Sequence, residues 1–129
     1  MSGFDWEEYI ECADLLLEAP LQGLSNEAQW RVAVSRAYYG AFCLARNVLQ
    51  NEGKKIPETA EAHRAVVRIL NRSSDRKRQQ AGNWLKRLRQ KRNTVDYNDQ
   101  LSTQSPPKIR KKVESAITNA REILKVMND

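Results

Sequence analysis

The residues with most chemistry to offer stand together in the run Arg92-Asn93-Thr94-Val95-Asp96-Tyr97. Ala81, Leu85, Leu88, Arg92 and Val95 step by four and three, so Arg92 takes a place that the helical pattern reserves for a hydrophobe. Burying an unpaired guanidinium costs several kcal/mol. Arg92 must therefore meet an acid, an interface or a bound anion. Tyr97 follows a turn and a half later on the same side of the helix end, and an arginine fork and a phenol can converge there on one small target. The chain has no carboxylate pair, glycine-rich phosphate loop or metal-ligand spacing to suggest another reaction, so neither a metal nor a cofactor is expected. His63, the one histidine, lies far from Arg92 in the chain and is expected to be structural, partly exposed or locally bonded.

Charge is distributed unevenly around this run. Residues 1–30 hold seven acids and no Lys or Arg, whereas residues 64–92 hold eleven basic residues against Asp75 alone. Eight of the eleven are arginines, whose planar fork suits bidentate contact with phosphate oxygens. A polyanion partner is the natural reading, with Lys86 and Arg89 among its phosphate contacts. The alternative is a solvated face that pairs with the acidic first helix of the same or a neighbouring chain.

The elements that must position these residues are helices. A chain of 129 residues, 40% apolar and with a net charge of +6, fits one domain over 1–129. Five glycines and four prolines are too few for the turns of an all-β chain. The spacing predicts a first helix with the seam Trp6, Ile10, Ala13 and Leu17, opened by a Ser2-x-x-Asp5 capping box and ended by Pro20 and Gly23. The central helix runs from about Asn26 to Asn51, with Ser25 as N-cap, Gly53 near its C-terminal cap, and a seam of Trp30, Val34, Ala37, Ala41, Leu44 and Val48. Thr59 caps a short helix carrying Ala62, Val66 and Ile69, and Ser73 or Ser74 caps a fourth from about Asp75 to Val95. Ser105 and Pro106 open the last, with the seam Ile109, Val113, Ala116, Ala120, Ile123 and Met127. The expectation is all-α, an up-and-down bundle of four long helices plus a short one, with lengths of roughly 20 to 35 Å. The apolar run Ala37–Ala45 is too short to span a bilayer, and Asp5, Glu7 and Glu8 stand where a secretory signal would carry Lys or Arg. No membrane association and a cytoplasmic location are expected. Cys12 and Cys43 read as small buried hydrophobes.

Opposite its seam the central helix carries Val32, Ser35, Tyr39, Gly40, Cys43 and Asn47, with Arg36 and Arg46 as the only charges. A freely solvated face would carry Glu and Lys. A covered face is implied, by a second subunit in a two-fold homodimer or, alternatively, by the short helix of the same chain.

The stretch from Arg31 to Phe42, containing Ser35-Arg36-Ala37-Tyr38-Tyr39, followed some fifty residues later by Leu88 to Tyr97, resembles the HEPN family (higher eukaryotes and prokaryotes nucleotide-binding). The resemblance runs from the second helix to the last. It implies a helical bundle that usually dimerises, often a metal-independent endoribonuclease used as a toxin beside a nucleotidyltransferase-like antitoxin or in phage defence. The family motif is an arginine, a polar residue, three or more residues and a histidine; Arg92 and Asn93 match, and Tyr97 stands in the place of the histidine. An unperturbed phenol, with a pKa of about 10, is a poorer general base at neutral pH than an imidazole near 6.5. For cleavage, the resemblance assigns Arg92 to the scissile phosphate, Asn93 to its orientation or to the 2′-hydroxyl, and Tyr97 to a hydrogen bond on a phosphate or leaving oxygen. Arg36 or Tyr39 would complete the groove. The alternative is a non-catalytic module that binds RNA, a nucleotide or a nucleotidyltransferase partner through the same basic groove.

Overall fold

The apolar seams fold as five helices: α1 (Glu7–Glu18), α2 (Asn26–Asn51), α3 (Ala62–Asn71), α4 (Arg76–Tyr97) and α5 (Pro106–Asn128). The structure, a computed structural model, describes residues 3–19, 21–98 and 105–129, and no strand occurs among them. α2 is the axis, packed against α1, α5 and α4; α3 lies chiefly on α4 and only lightly on α2. Buried side chains from all five helices merge into one cluster, with Ile10, Leu49, Leu70, Leu85, Leu88 and Ile123 inaccessible at its centre. Short connections between packed neighbours make α1 and α2, α3 and α4, and α4 and α5 run in alternating directions.

Helix ends follow local chemistry. Ser25 accepts from the Ala28 amide and caps α2 as its sequence predicts. Gly53, at φ +89°, closes α2 in a Schellman motif: its amide reaches the Gln50 carbonyl and the Lys54 amide the Leu49 carbonyl. Three expected caps move. The N-cap of α4 is Asp75, which accepts from the Lys77 amide, while Ser73 instead accepts from Asp75. Thr59 builds the turn before α3, bonding the Glu61 amide, and Glu61 is the N-cap. In α1 the cap is Trp6 and Asp5 accepts from the Glu7 amide; Ser2 and Pro20 lie outside the described residues.

The bundle is less regular than the seams suggest. α1 has 12 residues and spans only about 18 Å, close to the ten-residue α3. Leu44 and Val48 are half-buried, whereas Tyr38, Phe42, Ala45 and Leu49 are buried, because three helices pack around α2 and bury more than one stripe. Cys43 is buried as expected, but Cys12 is exposed on α1. The face of α2 opposite the seam is covered in part within the chain, by α1 at Gly40 and by Arg92 of α4 at Tyr39. Gly40 explains how: a Cβ there would stand 2.8 Å from Ile10 Cγ1 and 2.9 Å from the Trp6 carbonyl oxygen, so only glycine lets α1 approach. Val32 alone of that set is exposed.

Candidate nucleic-acid interface

Arg92 meets rings before it meets an acid. Its guanidinium carbon lies 5.2 Å from the centroid of Tyr38 and 5.3 Å from that of Tyr39, both on α2. Asp96, one turn on, is at 3.4 Å, a long contact, and Arg92 Nε is buried without a partner. Burial disfavours the charge, but Tyr39, Asp96 and Tyr38 outweigh it and the Arg92 pKa is raised. Arg92 thus occupies the seam as a cation whose side chain is 13% exposed, held by aromatic faces. Tyr97 is 76% exposed; together with Arg89, Arg92, Asn93, Thr94 and Asn98 it lines an open concavity at the end of α4. The fork and the phenol therefore share one surface, as the spacing predicts, although no hydrogen bond joins them.

Arg31 fixes the end of α4 against α2. It donates to the carbonyls of Val95 and Asn98 while pairing with Glu27, and so satisfies backbone groups that the helix terminus leaves open. This clamp sets where the Arg92 to Tyr97 run stands relative to the tyrosines of α2.

A second concavity, a groove of about 620 Å³, lies between α3 and α4 and is lined by His63, Arg64, Val67, Arg68, Asn71, Arg72, Lys86, Arg89, Gln90 and Asn93. Five of these are cations and none is an acid. Of these five cations only Arg64 has a carboxylate partner among the described residues, Glu61 at 3.7 Å. Arg89 and Asn93 line both concavities, so the groove opens onto the Arg92 and Tyr97 corner. The acids of α1 do not neutralise it: Glu18 pairs with Arg110 at 3.0 Å and Asp14 with Arg121, both on α5.

The predicted residues are thus gathered unevenly. Arg89, Arg92, Asn93 and Tyr97 share the corner, Lys86 and Arg89 the groove, and Tyr39 backs Arg92. Arg36 lies instead over the Tyr9 ring of α1 at 5.1 Å and lines neither concavity. Sequence reasoning counted Arg64, Arg68 and Arg72 in the basic segment but did not set them as a wall opposite α4, although they recur at every fourth residue and so share one helix face. It also set His63 apart. The ring is buried and locally bonded, with Nδ1 2.8 Å from the Tyr38 hydroxyl, yet it lines the groove beside Asn93. Burial, then Arg89 and Arg92, push its pKa down to about 4, and burial pushes Tyr38 up to about 12. Burial also raises the Cys43 thiol, which leaves it a poor nucleophile.

The arrangement suits phosphate chemistry: unpaired guanidinium and ammonium groups along a trough, ending at a fork, an amide and a phenol. No helix among the described residues is long and apolar enough to cross a membrane. No curated protein and no solved structure matches the chain. A family model described as the HEPN domain matches residues 6–129, nearly the whole length, with the bundle and the Arg92-Asn93 run inside it. The chain belongs to the HEPN family, a membership that suggests an RNA-related or nuclease-type function.

Proposed function

We propose that this protein seats RNA phosphates along the groove between α3 and α4 and delivers one to the Arg92, Asn93 and Tyr97 corner for metal-independent cleavage. The observation that carries the reading is the acid-free run of Arg68, Arg72, Lys86 and Arg89 opening onto that corner. At the corner the 2′-oxygen bonds the adjacent phosphorus as the bond to the 5′-oxygen breaks, leaving a 2′,3′-cyclic phosphate; the hydroxyl proton goes to water, and the 5′-oxygen takes one from Tyr97, which water then reprotonates. Arg92 stabilises the charge of the pentacoordinate state, Asn93 orients the phosphate or the 2′-hydroxyl, and Tyr97 donates to a phosphate or leaving oxygen. In the cell this is the activity of a cytoplasmic toxin or phage-defence ribonuclease, restrained by a nucleotidyltransferase-like antitoxin. A homodimer, the usual assembly of the family, would sediment at about 30 kDa, twice 14.9 kDa.

One observation favours a second reading, RNA or nucleotide binding without cleavage. Tyr97 is largely solvent-exposed and no described hydrogen bond activates it as a base. Expression of the wild type and of Arg92→Ala separates the two. Growth arrest and fragmented RNA with the wild type alone support cleavage; salt-dependent RNA binding without fragments supports the binding module. Absence of both RNA and mononucleotide binding at low salt refutes both.

A further inference from the structure

His63 opens α3, 7% exposed, and the groove runs past it. Its contact with Tyr38 fixes more than its position. The Tyr38 hydroxyl, on a residue 3% exposed, makes no other described hydrogen bond than the one to Nδ1 at 2.8 Å. If the ring donated, the phenolic hydrogen would be buried with no acceptor; if the phenol donates, both hydrogens are placed. The second arrangement puts the proton of the neutral imidazole on Nε2. With Nδ1 taken by Tyr38, Nε2 is the ring nitrogen left for a ligand, and the ring itself lines the groove. Arg89 and Asn93 line the same groove.

We propose that His63 is a ligand-contacting residue of the groove, its Nε2–H donating to a phosphate oxygen seated at Arg89, with Tyr38 as the positioning residue that holds the tautomer. The inference rests on the reading of the groove as an RNA phosphate site. It has a consequence that an inert core histidine lacks. The groups that face the ring are Tyr38 from α2, Arg89 and Arg92 from α4, and Arg64 on its own helix, with Lys86 across the groove. Burial and the two α4 arginines hold its proton affinity down in the free protein. A phosphate anion set against those arginines offsets their field, so occupancy raises the affinity of His63 for a proton, against the cost of turning the Tyr38 hydroxyl from donor to acceptor at Nδ1. By linkage, protonation raises the affinity for phosphate by the same factor.

His63 is the one imidazole of the chain, so its ring signals can be followed without assignment ambiguity. In nitrogen-15 spectra of the full chain, the free protein is expected to show the Nε2–H tautomer and to titrate near pH 4. A short oligouridylate is expected to shift the ring signals and raise that midpoint; inorganic phosphate at high concentration does the same to a smaller extent. If the midpoint returns to the ordinary value of 6.5, affinity at constant salt rises up to about thirtyfold from pH 8 to pH 5. His63→Gln keeps a side-chain donor and is expected to bind at pH 8 with a flat pH profile, while Tyr38→Phe loses the tautomer preference. Two results overturn the inference differently. Salt-dependent oligouridylate binding that Lys86 and Arg89 charge reversal weakens, with His63 signals and pH profile unmoved, removes His63 and leaves the groove. Absence of binding at low salt removes the groove reading and this inference with it.

Discussion

Replacing Arg92 by Leu tests whether the one cation in the α4 seam is there for stability or for a ligand. The substitution forfeits two ring contacts at 5.2 and 5.3 Å, each worth about 1 kcal/mol at a partly desolvated site. It also forfeits the long contact to Asp96, worth about 0.3 to 0.5 kcal/mol as an exposed pair one turn apart. Against that loss of roughly 2.5 kcal/mol, the variant no longer buries Nε without a partner, which recovers about 1 to 3 kcal/mol. It also places a leucine between Leu88 and Val95, and burying such a side chain contributes about 1.5 to 3 kcal/mol where it is complete. Asp96 is not stranded by the change, because its side chain is already 29% exposed. The terms therefore nearly cancel or favour leucine, and unfolding free energy should be unchanged within about 1 kcal/mol or rise. Urea unfolding of both proteins measures it, beside an oligouridylate binding assay in which the variant should lose affinity. A loss of about 3 to 5 kcal/mol, with RNA binding intact, would refute the reasoning and make Arg92 the structural clamp of the tyrosine pair.

The histidine gives a pH signature. His63 titrates at about 4 when folded against 6.5 unfolded, so the unfolded chain holds more protons between those values. Stability is then complete above 6.5 and drains as pH falls toward 4, by on the order of 3 kcal/mol; urea unfolding of the wild type minus His63→Gln across pH 7.5 to 4 should show that slope. Gly40→Ala should destabilise by about 1 to 3 kcal/mol, because its Cβ meets the Trp6 backbone, whereas Gly82→Ala meets the movable Asn71 amide at 2.5 Å and should cost less in the same thermal melts. Gln29→Leu removes three hydrogen bonds that tie the α1–α2 connection, to the Leu21 amide and to the Leu16 and Ala19 carbonyls. A loss of about 2 to 4 kcal/mol is expected in urea unfolding, from about 1 kcal/mol per bond and the buried backbone groups left open. Charge reversal at Lys86 and Arg89 together should weaken RNA binding for all sequences alike and flatten its salt dependence, read by titration at 50 and 200 mM salt.

Apolar periodicity carried the fold because every seam of this bundle is a local repeat that any packing partner must respect. Ile10, Ala13 and Leu17, or Ile109 through Met127, are buried where the four and three spacing puts them. Caps were less legible, since Ser73, Ser74 and Asp75 are adjacent residues that can all bond a helix amide, and only the backbone path selects Asp75. The part that α1 takes in covering the second α2 face was not legible for a different reason. A glycine in a helix can mark a weak spot or a close approach, and the sequence does not say which helix approaches Gly40. Arg92 stood out because it breaks an apolar pattern; His63 did not, because its relation to the site is made by two helices meeting and is not a spacing at all.

That meeting decides what kind of site this is. α3 touches the bundle lightly and rests on α4, with Gly82 admitting Leu70 and Asn71 at one end and the His63 contact to Tyr38 tying the other end to α2. Both walls of the groove are therefore set by α4, and the same helix carries the corner into which the groove opens. Tyr38 joins the two parts, since its ring backs Arg92 while its hydroxyl holds His63. Burial, then Arg89 and Arg92, depress the proton affinity of His63, and the part owed to the arginines is the part an anion can offset. A phosphate at Arg89 would offset the mutual repulsion of the cations that line the groove, and the protein would gain, on binding, a part of the stability that their clustering withholds.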